Sequence, residues 1–258
     1  GYRCTIGNPE LDGFESLNGI HGPLPLNQVG VIDDVLMVNG EQPDFILLNN
    51  DLTDEGLEGL SSPHILPNPQ MGWHNRKKSM HFEHLRPLVE EVSEIIGIEP
   101  WHLLCDSFVS ENKCLEKETC RVKLAEEVDD FIAALSQRYQ ALGLDREPVV
   151  YVKNNRGTYG LGIMTVTSGE QLLNLSNRKM KKLMYGKGTT DVEDFLIQEG
   201  VPTLMKTEEG FPVEPVVYLV DGDASSWFYR VNAKRDDIGN LNSPSAQFVT
   251  SDQEPGYM

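Results

Sequence analysis

The sequence has no long apolar run, and no leader pattern is recognised in it. No uninterrupted apolar run is longer than Val216–Val220, whereas a membrane-spanning helix needs roughly 20 apolar residues. The chain does not open with a charged segment followed by an apolar one, so no signal peptide is predicted. We therefore expect a cytoplasmic protein that has no membrane partner.

Basic residues are scarce, and the few cysteines lack the spacing of a metal site. Lys and Arg number 22 against 40 Asp and Glu, which gives a formal net charge of −18. Such an acidic protein repels a phosphate backbone, so nucleic acid is not expected as a partner. Cys4, Cys105, Cys114 and Cys120 form no Cys-x-x-Cys pair. We expect reduced thiols and no zinc site.

The first part of the chain is predicted to hold short strands followed by two helices. Residues 1–27 are rich in Gly, Pro and Asn and are predicted to be loop. Apolar residues at three- and four-residue steps predict a helix that Asn75 could cap, that Pro87 should kink or split, and that stops at Gly97. A second stripe predicts a helix that ends at Gly143. The predicted strands are Val29–Asp33, Val35–Val38, Phe45–Leu48, which fits a fully buried strand, and Ile65–Leu66.

After Pro148 the periodicity changes from helix to strand. A helix is expected after Ser168, and the turn Asp221-Gly222-Asp223 predicts a hairpin between Val216–Val220 and Trp227–Val231. The other predicted strands are Val149–Val152, Ile163–Val166 and Phe195–Gln198. We divide the chain into a partial N-terminal α/β segment, 1–70, a helical segment, 71–145, and a strand-rich region, 146–258.

The most informative segment is Lys153 with the glycine-rich loop that follows it. A predicted buried strand ends in Lys153, and Gly157, Gly160 and Gly162 come soon after. Glycines let the backbone approach a ligand closely and direct N–H groups at anionic oxygens. Lys153 adds a positive charge and Thr158 a hydroxyl donor. These are the parts of a phosphate-binding cradle, although their order matches neither a P-loop nor a dinucleotide fingerprint. A glycine-rich hairpin with an exposed lysine is the alternative.

Two later segments place polar residues on or after predicted strands. The predicted strand that ends in Gln198 continues into a short polar stretch that must leave the sheet at Gly200–Pro202, which exposes backbone groups that can recognise adenine; an edge strand with a turn is the alternative. Arg230 lies among aromatic residues on a predicted buried strand, so it is either paired with an acid or directed at an anion. The amide oxygens of Asn240 and Asn242 suit Mg²⁺ when phosphates supply the charge, and turn formation is their alternative.

These segments, in this order, resemble the ATP-grasp superfamily, and more closely its bacterial glutamate–cysteine ligases. The resemblance covers roughly residues 44–250. It implies a mixed fold of the α+β or α/β class: an ATP-grasp fold with two antiparallel-sheet subdomains and flanking helices, after a partial Rossmann-like pre-ATP-grasp segment. Residues 146–258 would then be the nucleotide-binding region. The matching motifs are Phe45–Leu52, Gly72-Trp73, Arg76–Ser79, His81-Phe82, Ile96–Trp101, Lys153–Val166, Ile197–Thr203, Glu214–Tyr218, Phe228–Val231 and Asn240–Asn242.

The resemblance also implies catalytic and phosphate-binding roles. Lys153 would contact the phosphates of ATP, and Lys77 or Lys78 would be a second phosphate ligand. Arg230 would stabilise the transferred phosphoryl group.

Further residues would cover the phosphates, bind adenine or hold the metal. Gly157, Thr158 and Gly160 would form a flap over the phosphates. Gln198, Glu199 and the Val201 backbone would face adenine. The metal-side candidates are Asn240 and Asn242, with Glu214 and Asp221 as substitutes for an acidic-x-Asn motif that this sequence lacks.

The implied reaction joins the γ-carboxylate of L-glutamate to the amine of L-cysteine through an acyl phosphate. This is the first step of glutathione biosynthesis, with ATP and Mg²⁺ as cofactors and the two amino acids as small-molecule partners; homo-oligomerisation stays open. One alternative is an ATP-grasp ligase with another acid and amine. The other is a nucleotide-binding module without turnover.

Overall fold

The computed structural model describes residues 3–8, 11, 13, 15–50, 52, 58–61, 64–157, 160, 162–184 and 194–250. The chain divides into two units, Gly1–Arg76 and Lys77–Met258. Within the described ranges, no helix is both long enough and apolar enough to cross a membrane.

The described part of the first unit consists of strands and two 3₁₀ turns. Its strands are β1 (Ile6–Asn8), β2 (Ser16–Gly19), β3 (Gly22–Ile32), β4 (Val35–Val38), β5 (Ile46–Leu47) and β6 (Ile65–Leu66). The long strand β3 pairs in parallel with β1 and antiparallel with β2 and β4. A separate parallel pair is formed by β5 and β6. The turns Pro69–Met71 and Trp73–Asn75 follow.

Two sequence-based expectations for this unit are wrong. Residues 1–27 are not all loop, because they contain β1, β2 and the first part of β3. The glycine and proline residues of this segment obscure the alternation of apolar and polar residues that predicts a strand. The strands are defined instead by backbone pairing with their neighbours. The strand β5 is not fully buried either, since Leu47 is 77% exposed. The strands β5 and β6 pair in parallel. This pair alone does not establish a Rossmann-like arrangement, which stays a prediction.

The second unit combines helices with two antiparallel sheets. One sheet has the order β7-β10-β8-β9 and the other has the order β11-β12-β13. The mixed α/β character and the antiparallel pairing expected for 146–258 are thus confirmed. The elements are α1 (Lys78–Ile96), β7 (Ser107–Ser110), α2 (Glu118–Ala141), β8 (Val150–Asn154), β9 (Ile163–Val166), α3 (Glu170–Leu173), α4 (Asn177–Met184), β10 (Phe195–Glu199), β11 (Val213–Val220), β12 (Asp223–Val231) and β13 (Gln247–Thr250).

Helix ends follow the sequence signals, but helix starts and interruptions do not. Gly97 takes the left-handed conformation at the end of α1, and Gly143 does the same just beyond α2, as expected. The prediction that Pro87 splits the first helix is wrong, because α1 continues through this residue. The helix loses only the backbone N–H donor that proline lacks. Asn75 does not cap α1, which begins at Lys78. The helix expected after Ser168 is present as two short helices, α3 and α4.

The alternation of side chains along β8 and β10 separates a core from a working surface. Successive residues of a strand point to opposite faces of the sheet. Val150, Val152, Phe195 and Ile197 belong to one buried cluster that α2 completes. The residues that alternate with them, Tyr151, Lys153, Leu196 and Gln198, therefore point to the opposite face, which we call the working surface. Burial of the first set fixes the direction of the second.

We expect Leu124→Ala to lower the free energy of unfolding by about 2–5 kcal/mol, because it removes a fully buried side chain from the α2 core. The matched control is Leu173→Ala, which shortens a leucine that is 44% exposed and should change the value by less than about 1 kcal/mol. Urea-induced unfolding measures both. Equal losses in the two variants would contradict the assignment of the core.

Candidate active site

Lys153, Gln198 and Cys105 form a connected line on the working surface. The Lys153 Nζ donates a hydrogen bond to Gln198 Oε1 at 2.6 Å, and Gln198 Nε2 donates to Cys105 Sγ at 3.1 Å. The same Nζ lies 4.7 Å from the centre of the Tyr151 ring. The predicted lysine thus lies against the sheet, and its partner is a neutral amide.

Burial sets the protonation behaviour of this surface. It lowers the pKa of Lys153 from its ordinary value of 10.5, because the charged ammonium loses water. The same loss of water raises the pKa of Cys105, because the charged form of a thiol is the deprotonated thiolate. Burial, with smaller contributions from Asp236, Glu214 and Asp237, raises the pKa of Tyr151 to about 12. A partly desolvated cation gains more from an anionic ligand than one in bulk water.

The first turn of the glycine-rich loop is held from α1. Gly157 N donates to Asn154 O at 3.1 Å, which closes the turn. Lys78 Nζ donates to Asn154 O at 2.9 Å and also to Gly157 O. Lys77 Nζ instead lies 3.4 Å from Asp194 Oδ2. The predicted second phosphate lysine, Lys78, therefore contacts the loop backbone, while Thr158 lies outside the described residues.

The loop also contacts the segment that carries the metal-side candidates. Gly160 has a φ of 71°, and a Cβ atom at this position would lie 2.3 Å from Asn242 O and 2.6 Å from Asn240 Nδ2. Asn240 Oδ1 accepts from Asn242 N at 3.1 Å, so this amide oxygen forms an Asx turn. On the same side, Tyr151 donates from its hydroxyl to Ile238 O. The structure thus brings together the loop and the 238–242 segment.

Arg230 is paired with Glu214. The two residues are directly opposite in β12 and β11, and Arg230 Nη1 lies 2.5 Å from Glu214 Oε1. The Arg230 side chain is only 19% exposed, and its Nε is buried with no hydrogen-bond partner among the described residues. The pair corresponds to the structural alternative considered for Arg230. A buried N–H donor that has no acceptor nevertheless fits an anionic ligand.

The Glu199 side chain lies on the opposite face of β10 from Gln198, and the expectation that Glu199 faces adenine stays a prediction. Its fully buried carboxylate accepts hydrogen bonds from Trp101 Nε1 at 2.8 Å, Tyr139 Oη at 2.7 Å and Asp106 N at 3.1 Å. Because Glu199 follows Gln198 in a strand, the two side chains point to opposite faces. Val201, just beyond the strand, is 53% exposed.

The metal-side candidates do not assemble a cation site by themselves. Within the described ranges, no group of three or more His, Cys, Asp or Glu side chains could hold a metal ion. Asn240 Oδ1 already accepts a backbone hydrogen bond, and Glu214 already binds Arg230. Among the described residues, these candidates therefore do not form a preassembled cluster of acidic ligands for Mg²⁺.

Sequence reasoning missed two members of the site. Tyr151 lies two residues before Lys153, so the strand period alone could have placed it on the same face. Cys105 precedes β7 and meets Gln198 through pairing between distant strands. Nothing in the local sequence signals that contact.

Comparisons with known proteins give a family and one related structure. A family model described as glutamate-cysteine ligase matches residues 18–254, and a search of curated proteins found no match. A solved protein from Methylobacillus flagellatus KT, provisionally named a gamma-glutamylcysteine synthetase, has a TM-score of 0.77 at 30% identity, covering 90% of this chain and 55% of that chain. The chain thus spans about half the length of that protein. D-alanyl-alanine synthetase A from Vibrio cholerae reaches a TM-score of only 0.39 at 11% identity, over 88% of this chain and 63% of that chain, too low to support an argument.

We expect Lys153→Met to stabilise the protein at neutral pH. A lysine whose pKa is lowered on folding carries a charge that the folded state disfavours, and this penalty disappears as the pH rises toward 10.5. The stability difference from the wild type should therefore be largest at neutral pH and shrink toward pH 10.5. Urea unfolding over this pH range measures it, with Lys182→Met on the exposed side of α4 as the control. A difference that grows with pH would contradict the burial of this ammonium.

Gly160→Ala should disturb the contact between the loop and the 238–242 segment. Gly160 and Gly222 both have positive φ values, of 71° and 86°, but only Gly160 has atoms close to the added Cβ. Gly222→Ala is thus the matched control and should cost about 1–2 kcal/mol for the left-handed backbone alone. Gly160→Ala should lose more unfolding free energy than this control. Equal losses would mean that the loop does not pack against Asn242.

Proposed function

Because the chain belongs to the glutamate-cysteine ligase family, we propose that it takes part in joining the γ-carboxylate of L-glutamate to the amine of L-cysteine with ATP. The family model confirms the resemblance seen in the sequence. The observation that carries the proposal is the partly desolvated ammonium of Lys153 beside Gln198, at the root of the glycine-rich loop. We also propose an ATP-grasp architecture. In it, 1–70 is a pre-ATP-grasp segment, 71–145 is a helical segment, and 146–258 is the nucleotide-binding region.

The chemistry explains why such a site needs positive charge. A carboxylate is a poor acyl donor, because its leaving group would be oxide; phosphorylation of glutamate supplies a good one. The amine of cysteine can then attack the acyl phosphate. Lys153 and Arg230 would neutralise charge that develops on the phosphate oxygens, and they act most strongly where water is excluded. Arg230 would exchange the Glu214 carboxylate for the phosphoryl group.

The glycine-rich loop would supply backbone donors and exclude water. Gly157, Thr158 and Gly160 belong to the proposed flap. Gly157 N closes the turn with Asn154 O, so the N–H groups that follow it would face the phosphate oxygens. Closure of such a loop protects an acyl phosphate from hydrolysis. Gly160 lies close to the 238–242 segment, which connects β12 to β13. This contact supports a flap that packs against that connection.

The proposed adenine contacts are the Gln198 side chain and the backbone at Glu199 and Val201. Gln198 lies on the face that carries Lys153, which supports this placement. Mg²⁺ is the second cofactor that the family implies. Asn240, Asn242 and Glu214 remain its proposed ligands, but their present hydrogen bonds do not fit a preformed site, so we derive no step through the metal.

We expect Lys153→Met and Arg230→Ala each to lower turnover by roughly 10²–10³-fold, equivalent to about 2.7–4 kcal/mol of transition-state stabilisation. The measurement is phosphate release from ATP in the presence of L-glutamate and L-cysteine. Lys182→Met and Arg178→Ala, two exposed positions on α4, are the charge-matched controls and should keep wild-type turnover. Near-wild-type turnover in either test variant would contradict the assigned roles.

The amino-acid pair is tested on the wild type. Phosphate release is compared across a panel of carboxylic acids and amines. Release with another pair, and none with glutamate and cysteine, would replace the proposed substrates while leaving the ATP-dependent ligase in place. ATP binding by calorimetry without release for any pair would favour a nucleotide-binding module.

A further inference from the structure

Helix α1 begins without a cap of its own. The first N–H groups of a helix have no intrahelical partner and need another acceptor. Lys77, the residue before the helix, provides no side-chain cap. Instead, Lys78 N donates to Asn155 O at 2.8 Å, and Ser79 N donates to Asn155 Oδ1 at 2.9 Å. A residue 76 positions further along the chain thus caps this helix.

Asn155 uses every one of its polar groups in this way. Besides the two bonds it accepts, Asn155 Nδ2 donates to Ser79 Oγ at 3.0 Å, and Asn155 N donates to Asp194 O at 3.1 Å. Its side chain is only 1% exposed. Three of the four bonds join it to the start of α1, and the fourth joins it to the residue before β10. Burial away from water makes each of these bonds difficult to replace.

The position of Asn155 in the chain gives these bonds their meaning. It lies two residues after Lys153 and two residues before Gly157. On either side of it, the Asn154 and Gly157 carbonyls accept from Lys78 Nζ. The root of the glycine-rich loop is therefore bound to the first turn of α1 through both backbone and side-chain contacts.

We propose that Asn155 is a positioning residue that fixes the glycine-rich loop, and with it Lys153, against the N-terminus of α1. Lys78 serves the same purpose through the loop carbonyls. A loop held in place before the ligand arrives loses less conformational freedom on binding and presents its donors in one geometry. The anchoring stands on the hydrogen bonds alone, whereas its consequence for ATP rests on the proposed function.

The first test measures the loop in the absence of nucleotide. Arg156 is exposed and follows Asn155, so trypsin can report opening of the loop by cleavage of the Arg156–Gly157 bond. Asn155→Ala should speed this cleavage by about tenfold, since it removes the two side-chain bonds to Ser79. Lys78→Met should speed it as well, which a lysine that contacts only phosphate would not do. Mass spectrometry identifies the cleaved bond.

Two variants separate anchoring from a general loss of stability. Val89→Ala removes buried atoms from α1 away from the loop and should leave the cleavage rate at Arg156 unchanged at temperatures where the variant is folded. Asn155→Asp should restore near-wild-type cleavage, because a carboxylate still accepts from Ser79 N, can accept from its hydroxyl, and carries a charge that favours a helix N-terminus. If Asn155→Ala does not fold, Ser79→Ala removes one of the same bonds and should have a smaller effect in the same direction.

The second test measures the nucleotide. Asn155→Ala should raise the KM for ATP by about tenfold, with little change in the KM for glutamate, and Asn155→Asp should reverse the effect. Equal cleavage in Asn155→Ala and Val89→Ala would overturn the anchoring. Faster cleavage with an unchanged KM for ATP would overturn the positioning role. Absence of ATP binding by the wild type would overturn the proposed function and the nucleotide half of this proposal, while the cleavage rates would still decide the anchoring.

Discussion

The alternation of side chains along β8 is the constraint on which the site depends. Val150 and Val152 are fully buried against α2, so Tyr151 and Lys153 must point to the other face. The free energy gained by burying the core residues therefore offsets the cost of partly desolvating the Lys153 ammonium. Gln198 shares that face because its strand pairs in register with β8. The placement of the candidate site thus follows from packing on the opposite face of the same sheet.

Two features of the site are organised before any ligand binds, and they differ in kind. The hydrogen bonds of Asn155 at the root of the glycine-rich loop are neutral, and a phosphate does not compete for them. Arg230 is held by a charged partner, Glu214, with which a phosphate would compete in the proposed function. The Asn155 hydrogen bonds fix the position of the loop backbone, whereas the ion pair neutralises the Arg230 guanidinium with a partner that a ligand could replace.

Local sequence signals predicted the elements that local interactions determine. The hairpin around Asp221-Gly222-Asp223 and the helix stops at Gly97 and Gly143 follow from backbone preferences of a few residues. The sequence also placed Lys153 at the end of a strand before a glycine-rich loop. It could not show that Asn155 rather than Asn75 caps α1, because that contact joins distant segments. The burial of the Glu199 carboxylate likewise depends on contacts with Trp101 and Tyr139, which lie far away in the sequence.

The Arg230–Glu214 pair has a consequence for selectivity among anions. A lone anion such as inorganic phosphate would have to displace a carboxylate that already lies 2.5 Å from the guanidinium, so it gains little from that position. A longer polyanion that engages Lys153 as well, as in the proposed function, would gain from two cations while displacing one carboxylate. In the proposed function, the Glu214 carboxylate would thus compete for the guanidinium, and a single small anion would displace it less readily than a polyphosphate.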